Sequence, residues 1–400
     1  MATTITQAAP TVTDLYVEHY STIPANAGDK VKLFVREYKA AHDGPRLPVL
    51  MLHGRSVAGV AVFDLPYKKY SWAAELAKAG YDVYVMELQG SGLSTRPTMD
   101  DYRNVSPAES QRRLLVPNPT ATIYTGPVEY GSQLNNSQSD WDEVGKVVDF
   151  VLARAAATKL DLIGYSAAVQ QLGPYTIMNH GKVRSLFLAA PIFPPNGRQS
   201  KPGTEFGAPV PLPVSAPAGA FGFPMTVATK GGLDVVWQRD LRCPGQREDG
   251  IVDEVWKAMM SVDTYGAAWG GPVAGSPEGL NRVRNSYWWG WNSTTVKLHD
   301  VLGDKVPVCI VYGAHDSIVN TSPDLGLTYF STPELYRKIP GQQKLMFRLS
   351  CAGHQLLWEN HAAKLVHTMS EHWLKQSKVE GETSGSYDRD EDGALTLLEQ

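Results

Sequence analysis

The sequence lacks a strong excess of charge of either sign, with 37 Lys and Arg against 41 Asp and Glu and a formal net charge of -4. Nucleic-acid and anionic-membrane binders usually carry a basic patch, so this balance favours neither partner. No run of about 18 uncharged apolar residues is present, which predicts no membrane span. The N-terminus shows no basic segment followed by an apolar run, so we expect a cytoplasmic protein that binds a small molecule.

Cysteine is also scarce, because the 400 residues contain only Cys243, Cys309 and Cys351. Their odd number and the lack of C-x-x-C spacing predict neither a disulfide framework nor a zinc site. We therefore expect reduced, mostly buried thiols. We also expect no metal and no cofactor.

The residues that are abundant indicate a globular enzyme-sized chain. Hydrophobic residues make up 43% and charged residues 20%, which is typical of soluble proteins, and 36 Gly with 27 Pro indicate many tight loops. A chain of 400 residues has room for one large catalytic domain with an insertion, or for two ordinary domains.

Hydrophobic periodicity predicts a hairpin followed by alternating strands and helices. Residues 15–23 and 31–38 are rich in β-branched and aromatic residues and are separated by a turn, which indicates an antiparallel hairpin. Short apolar runs then predict strands at 48–52, 81–88, 159–163, 183–190, 306–312 and 344–349. Apolar residues at helical spacing predict helices at 72–79, 141–154 and 361–376. Alternation of this kind predicts a parallel, doubly wound α/β sheet.

The alternation stops between residues 191 and 300, where Pro, Gly and Trp are concentrated. The predicted organisation is a first core part at 1–193, an inserted cap or lid at 194–300, a second core part at 301–376 and an acidic C-terminal tail at 377–400. Within the insertion, the proline-rich residues 194–227 predict a long irregular loop.

Residues 159–172 carry the strongest motif, Gly-Tyr-Ser-Ala-Ala, with Ser166 at its centre. It follows a predicted buried strand and begins a predicted helix, which is the setting of a nucleophile elbow. A sharp strand-to-helix turn strains the serine and requires small neighbours two residues away on either side. Gly164 and Ala168 satisfy that requirement, although the usual motif has glycine at the second position.

Two further segments give the chain a resemblance to the α/β-hydrolase superfamily over most of residues 14–376. Leu52-His53-Gly54-Arg55 resembles the H-G-x turn of that family, and residues 87–94, ELQGSGLS, resemble its D-x-R-G-x-G-x-S turn. The second segment departs from the pattern at Glu87 and Gln89. The resemblance implies an α/β-hydrolase fold with a mostly parallel, eight-stranded sheet, flanking helices and an inserted cap.

The resemblance also implies a Ser-Asp-His catalytic triad in that chain order. A serine hydroxyl needs a neutral histidine to take its proton and a carboxylate to orient that histidine. The turn after residues 306–312 resembles the family's acid-bearing turn and gives Asp316, and the loop after residues 344–349 gives His354 as the base. His315 is a rival base, but it is adjacent to Asp316 in a tight turn and is interpreted as structural.

An oxyanion intermediate needs two hydrogen-bond donors at about 2.7 to 3.1 Å. By the same resemblance, the candidates are the backbone N–H groups of Arg55 and Ala167, with Ser56 as an alternative to Arg55. His53 is expected to brace the loop. The Arg55 side chain has two interpretations, as a solvated loop residue or as a group that reaches an acidic part of the substrate.

Six of the ten tryptophans fall in the insertion, namely Trp237, Trp256, Trp269, Trp288, Trp289 and Trp291. They indicate either a core for a small lid or an aromatic pocket over Ser166. The predicted function is therefore hydrolysis of a carboxylic ester or lactone of a bulky hydrophobic or aromatic molecule, through an acyl-enzyme. Amide hydrolysis, carbon-carbon bond hydrolysis and acyl transfer use the same triad, and a ligand receptor without turnover is a further alternative.

A calcium-loop spacing, D-x-D-x-D-G-x5-E, runs from Asp388 to Glu399. The segment before it is a poor helix and the chain stops at Gln400, so no pair of flanking helices is available. A solvated acidic tail is the favoured interpretation over a calcium site.

Overall fold

A computed structural model describes residues 9–41, 44–105, 114, 134–201, 206–207, 225–273 and 275–398. Most of the irregular loop predicted at 194–227 lies outside the described residues. No helix within these ranges has the length and apolar character needed to cross a membrane.

The centre of the fold is a mixed sheet of ten strands. In chain order these are β1 Thr11–Tyr20, β2 Lys30–Lys39, β3 Pro48–Leu52, β4 Asp82–Glu87, β5 Leu160–Tyr165, β6 Val183–Ala189, β7 Val308–Gly313, β8 Lys344–Leu349, β9 Gly385–Arg389 and β10 Leu395–Leu397. Across the sheet they lie in the order β1-β2-β4-β3-β5-β6-β7-β8-β9-β10. The predicted hairpin is confirmed as β1 and β2, which pair antiparallel.

Strands β4, β3, β5, β6, β7 and β8 run parallel to one another. Every residue of β3 and β5 is buried, which explains their continuous apolar sequence. The predicted mostly parallel sheet is confirmed. The predicted number of eight strands was too low, because β9 and β10 extend the sheet.

Helices flank the sheet and connect its strands. They are α1 Gly59–Phe63, α2 Trp72–Lys78, α3 Ser137–Ala155, α4 Val169–Met178, α5 Lys230–Gln238, α6 Ile251–Ser261, α7 Thr264–Ala267, α8 Ser293–Leu298, α9 Thr332–Lys338 and α10 Asn360–Gln376. The long helix α3 begins at a capping box, in which Asn136 accepts from the N–H of Ser139 and the Ser139 side chain accepts in return. It ends at Ala156, a left-handed residue.

The segment between β6 and β7 contains α5 to α8 and short strands. Met225–Ala228 pairs antiparallel with Asn281–Arg284, and Ser286–Tyr287 pairs with Asn135–Asn136 just before α3. A small hairpin joins Pro272–Val273 to Ser276–Pro277. Contacts with α3 and the core therefore hold this segment in place. One of them is the hydrogen bond that the backbone N–H of Trp289 donates to Ser137 Oγ at 2.8 Å.

The prediction of reduced cysteines was wrong for two of the three. Cys243, after α5, forms a disulfide bond with Cys351, after β8. Cys309 is free and buried in β7. Spacing could not reveal the bond, because 108 residues separate the two cysteines and the fold brings them together.

The segment predicted as an acidic tail folds against the sheet. Strand β9 pairs parallel with β8, β10 pairs antiparallel with β9, and the Arg348 guanidinium contacts the Asp388 carboxylate at 2.5 Å. Asp390 Oδ1 accepts the N–H of Ala394 at the turn between the two strands. The described residues of the calcium-loop spacing therefore belong to a β-hairpin, and Asp388, the first acid of the pattern, is paired with an arginine. Glu399, its last acid, lies outside the described residues.

Candidate active site

Ser166 lies at the turn between β5 and α4. A 3-10 turn, Ser166–Ala168, joins the two elements, and the φ angle of Ser166 is 56°, in the left-handed region that costs a non-glycine residue free energy. A Cβ atom on Gly164 would lie 2.9 Å from Leu172 Cδ1, so only glycine fits there without a shift. Ala168 has φ -55°, which alanine adopts freely. The departure from the usual motif is therefore compatible with the turn.

Ser166, His354 and Asp316 form a chain of hydrogen bonds. Ser166 Oγ lies 2.9 Å from His354 Nε2, and His354 Nδ1 lies 2.9 Å from Asp316 Oδ2. The other carboxylate oxygen of Asp316 accepts the N–H groups of Ile318 and Val319. Since a carboxylate only accepts, Nδ1 carries the proton and Nε2 is free to accept the serine proton. The arrangement can therefore activate the hydroxyl for attack on a carbonyl carbon.

These three residues follow the carboxyl ends of β5, β7 and β8, which lie close together in the sheet. Open α/β sheets place their sites at that edge. The strand order, the strained serine turn and the Ser-Asp-His order in the chain together match what the resemblance implies. The chain has the α/β-hydrolase fold.

The carboxylate of Asp240, in the segment after β6, supports the loop that carries His354, which is called the histidine loop below. Asp240 is fully buried, and its Oδ2 accepts the N–H of His354 at 2.9 Å while its Oδ1 accepts the N–H of Ser317 at 3.3 Å. One side chain therefore joins the loops that carry His354 and Asp316. No motif in the sequence marks Asp240, because its role depends on the folded insertion.

Three further groups hold the histidine loop from other sides. The Tyr165 hydroxyl contacts the His354 carbonyl at 2.9 Å, and Glu359 accepts the N–H of Gly353 at 3.0 Å. Burial raises the pKa of Glu359 to about 7. The Cys243–Cys351 bond attaches the start of the same loop to the chain after α5. His354 is thus held in position by contacts that sequence reasoning did not find.

The rival histidine, His315, lies away from this chain of hydrogen bonds. Its backbone N–H donates to the carbonyl of Ala352 at 3.0 Å, and His315 is not among the described residues that line the cavity over Ser166. These contacts fit the structural interpretation of His315.

The loop after β3 packs against Ser166. A Cβ atom on Gly54 would lie 2.9 Å from Ser166 Cβ, so the backbone reaches the serine only because this residue is glycine. His53 Nδ1 lies 2.6 Å from the Gly54 carbonyl, and His53 Nε2 accepts the N–H of Leu88 at 3.3 Å. Burial lowers the pKa of His53 to about 4, which keeps the ring neutral. Arg55, Ser56 and Ala167 all line the same cavity as Ser166.

The cavity over Ser166 has a volume of about 580 Å³ and a largely apolar wall. Four of the six tryptophans singled out above line it, namely Trp256, Trp288, Trp289 and Trp291. Trp237 instead packs on Trp358 and donates to Glu359, and Trp269 packs in a separate small core. The tryptophans of the insertion therefore serve both as cavity wall and as core.

Comparisons with known proteins give similarity in structure only. No protein-family model and no curated protein sequence matches the chain. A serine hydrolase from the polyaromatic-hydrocarbon-degrading bacterium Cycloclasticus zankles is 12% identical, with a TM-score of 0.48 and coverage of 91% of this chain and 98% of that one. A carboxylesterase from Bacillus subtilis is 10% identical, with a TM-score of 0.46 and coverage of 92% and 93%. At such identities and scores, neither assigns a substrate to this chain.

Proposed function

We propose that the protein is a serine hydrolase that cleaves a carboxylic ester or lactone of a bulky hydrophobic or aromatic small molecule. Ser166 is the nucleophile, His354 the general base and then acid, and Asp316 the residue that orients the histidine. The observation that carries the proposal is the pair of 2.9 Å contacts from Ser166 Oγ to His354 Nε2 and from His354 Nδ1 to Asp316 Oδ2. The reaction needs no cofactor.

In the first half-reaction, Ser166 Oγ attacks the carbonyl carbon while His354 Nε2 takes the hydroxyl proton. The new carbon-oxygen bond gives a tetrahedral oxyanion. When this intermediate collapses, the bond to the leaving alcohol breaks and the histidine gives its proton to the departing oxygen. A water molecule activated by the same histidine then hydrolyses the acyl-enzyme and releases the acid. Asp316 keeps its charge throughout and stabilises the imidazolium.

The oxyanion donors in this proposal are the backbone N–H groups of Ala167 and Arg55, with Ser56 as the alternative for the second donor. Support comes from position, because Ala167 directly follows the nucleophile and Gly54 packs against it. Residues 194–300 act as a cap in the same scheme. Four tryptophans of this segment form part of the cavity wall, which supports an aromatic or bulky apolar substrate.

The test is hydrolysis of a p-nitrophenyl ester series from acetate to decanoate. Ser166→Ala is expected to lower kcat by at least about 1,000-fold, since removing a triad nucleophile leaves only binding and oxyanion stabilisation. The matched control is Ser261→Ala, which removes an exposed hydroxyl at the end of α6. Equal rates for wild type and Ser166→Ala would end the proposal. A single burst without sustained turnover would favour the receptor alternative instead.

The cytoplasmic location stays a prediction, and the Cys243–Cys351 bond weighs against it. Cytosolic proteins usually keep their thiols reduced, whereas disulfide bonds persist in oxidising compartments.

A further inference from the structure

Among the described residues, the acidic and basic side chains that line the cavity over Ser166 are all basic. The described residues that line it include Arg55 and Arg198 and no aspartate or glutamate. The wall around them is largely apolar. A ligand that fills this space therefore meets positive charge in surroundings where few water molecules can screen it.

Arg55 is one of the residues that line this cavity. The residue is accessible by surface area, yet protein surrounds it closely enough that burial lowers the pKa of its guanidinium, with a further contribution from the nearby Arg284. The two facts agree if the accessible surface is the cavity wall. Its hydrogen bond to a side chain goes from Nη2 to Asn285 Oδ1 at 2.9 Å, and Asn285 is neutral.

Two nearby buried arginines, unlike Arg55, form ion pairs with carboxylates of the described residues. Arg282 lies on the Asp263 carboxylate at 2.5 Å, and Arg284 lies 3.3 Å from the Asp140 carboxylate. Among the described residues, no carboxylate lies within ion-pair distance of Arg55 and no acidic group contributes to the lowering of its pKa. Charges in largely apolar surroundings are normally paired, so an arginine that lines a largely apolar cavity and has a neutral side-chain partner indicates an anion supplied from outside.

Arg55 is also close to the proposed chemistry. It directly follows Gly54, whose backbone packs against Ser166. The contact with Asn285, itself buried beside the short strand Ser286–Tyr287, fixes the position of the guanidinium. A substrate that fills the cavity therefore spans both the nucleophile and the positive charge.

We propose that the Arg55 side chain binds a carboxylate of the substrate, so that the preferred substrates are esters that carry a free carboxylate together with an apolar or aromatic body. This inference rests on the proposed function for the identity of the ester and deepens it. A guanidinium offers a planar fork that matches a carboxylate, and such charge-assisted bonds are about twice as strong as neutral ones. The main-chain N–H of Arg55, one of the two proposed alternatives for the second oxyanion donor, is a separate group from this side chain.

The first experiment measures binding without turnover. Isothermal titration compares 4-phenylbutyrate with the neutral 4-phenylbutyramide in the Ser166→Ala protein, with and without Arg55→Met. We expect the carboxylate to bind about 10- to 100-fold tighter than the amide, and this preference to disappear with Arg55→Met. Arg337→Met is the matched control, since that guanidinium lies exposed on α9, and it should keep the preference. Arg55→Lys should keep part of it.

The second experiment measures specificity in turnover. It compares kcat/KM for 4-nitrophenyl hydrogen glutarate with that for its neutral methyl ester, in wild type and in Arg55→Met. The ratio of kcat/KM for the charged substrate to kcat/KM for the neutral one should fall about 10- to 100-fold in the variant, mainly through KM for the charged substrate. The neutral substrate reports any general effect of a change at Arg55 on the chemistry. An equal loss on both substrates, or no preference for the carboxylate in the wild type, would overturn the inference.

The two experiments separate this inference from the proposed function. Carboxylate binding that depends on Arg55, without ester turnover, would support the site and contradict the esterase. Sustained ester turnover with no dependence on Arg55 would contradict the site and leave the esterase standing.

Discussion

At the scale of single residues, the site depends on two glycine positions where any Cβ atom would come too close to a neighbouring atom. Gly54 allows the loop after β3 to approach Ser166 closely, because a Cβ atom there would lie 2.9 Å from Ser166 Cβ, and Gly164 leaves room for the side chain of Leu172 at the start of α4. Ala168 is the informative exception. Its position needs a small side chain but no left-handed backbone, so the sequence can depart from the usual glycine without losing the turn.

A buried histidine gives the residue-scale prediction on pH. His367 in α10 stacks on Trp72, with ring centroids 5.6 Å apart, and burial lowers its pKa to about 3. The unfolded chain binds the proton near the ordinary value of about 6.5, whereas the folded protein does not. The group therefore stabilises the fold fully above pH 6.5, and this contribution is lost as the pH falls toward 3.

Replacing His367 with phenylalanine should remove this sensitivity. Between pH 6.5 and 4.5 the wild type should lose about 2 to 3 kcal/mol of unfolding free energy through this residue, and His367→Phe should lose that much less. Urea unfolding at the two pH values measures the difference. His361→Phe, at an exposed position of the same helix, is the control. Identical losses in wild type and His367→Phe would show that this histidine does not control acid stability.

At the scale of elements, the Cys243–Cys351 bond joins the chain after α5 to the loop that carries His354. It closes a loop with a sequence separation of 108 residues. A disulfide bond typically contributes about 2 to 4 kcal/mol, mainly because it removes chain entropy from the unfolded state. Asp240 and Tyr165 hold the same loop independently, so breaking the bond should affect stability more than the geometry of the site.

The double variant Cys243→Ser with Cys351→Ser should therefore unfold about 2 to 4 kcal/mol more easily than the oxidised wild type. At 25 °C it should keep most of its kcat for p-nitrophenyl esters. Urea unfolding with and without a reducing agent provides the internal control, because reduction should weaken the wild type and leave the variant unchanged. Unfolding curves that coincide for the oxidised wild type and the variant would contradict a stabilising role.

At the scale of the whole molecule, local sequence predicted the repeating part of the fold well. The strands at Pro48–Leu52 and Lys344–Leu349 have the bounds that their apolar runs indicate, since buried parallel strands leave a continuous hydrophobic signal. Strands β9 and β10 were missed for the converse reason. Their polar residues bind partners elsewhere in the molecule, as Asp388 binds Arg348, and the two segments show no hydrophobic periodicity of their own.

The site likewise combines residues that local sequence predicts with contacts that it does not predict. Ser166, Asp316 and His354 each follow a predictable strand, so the sequence places them at one edge of the sheet. The contacts of Asp240, the disulfide bond and the contact of Arg55 with the neutral Asn285 depend on how the insertion packs on the core. Those contacts join residues far apart in the chain, and no local pattern encodes them.

The most direct test of the central claim is covalent labelling with a fluorophosphonate, read by intact mass and peptide mapping. An activated serine displaces the fluoride and retains the phosphonyl group, whereas ordinary serines react poorly. We predict one label per chain on the peptide that carries Ser166, no label in Ser166→Ala, and at least about 100-fold slower labelling in His354→Ala. A label on another residue, or equal labelling of Ser166→Ala, would contradict the account.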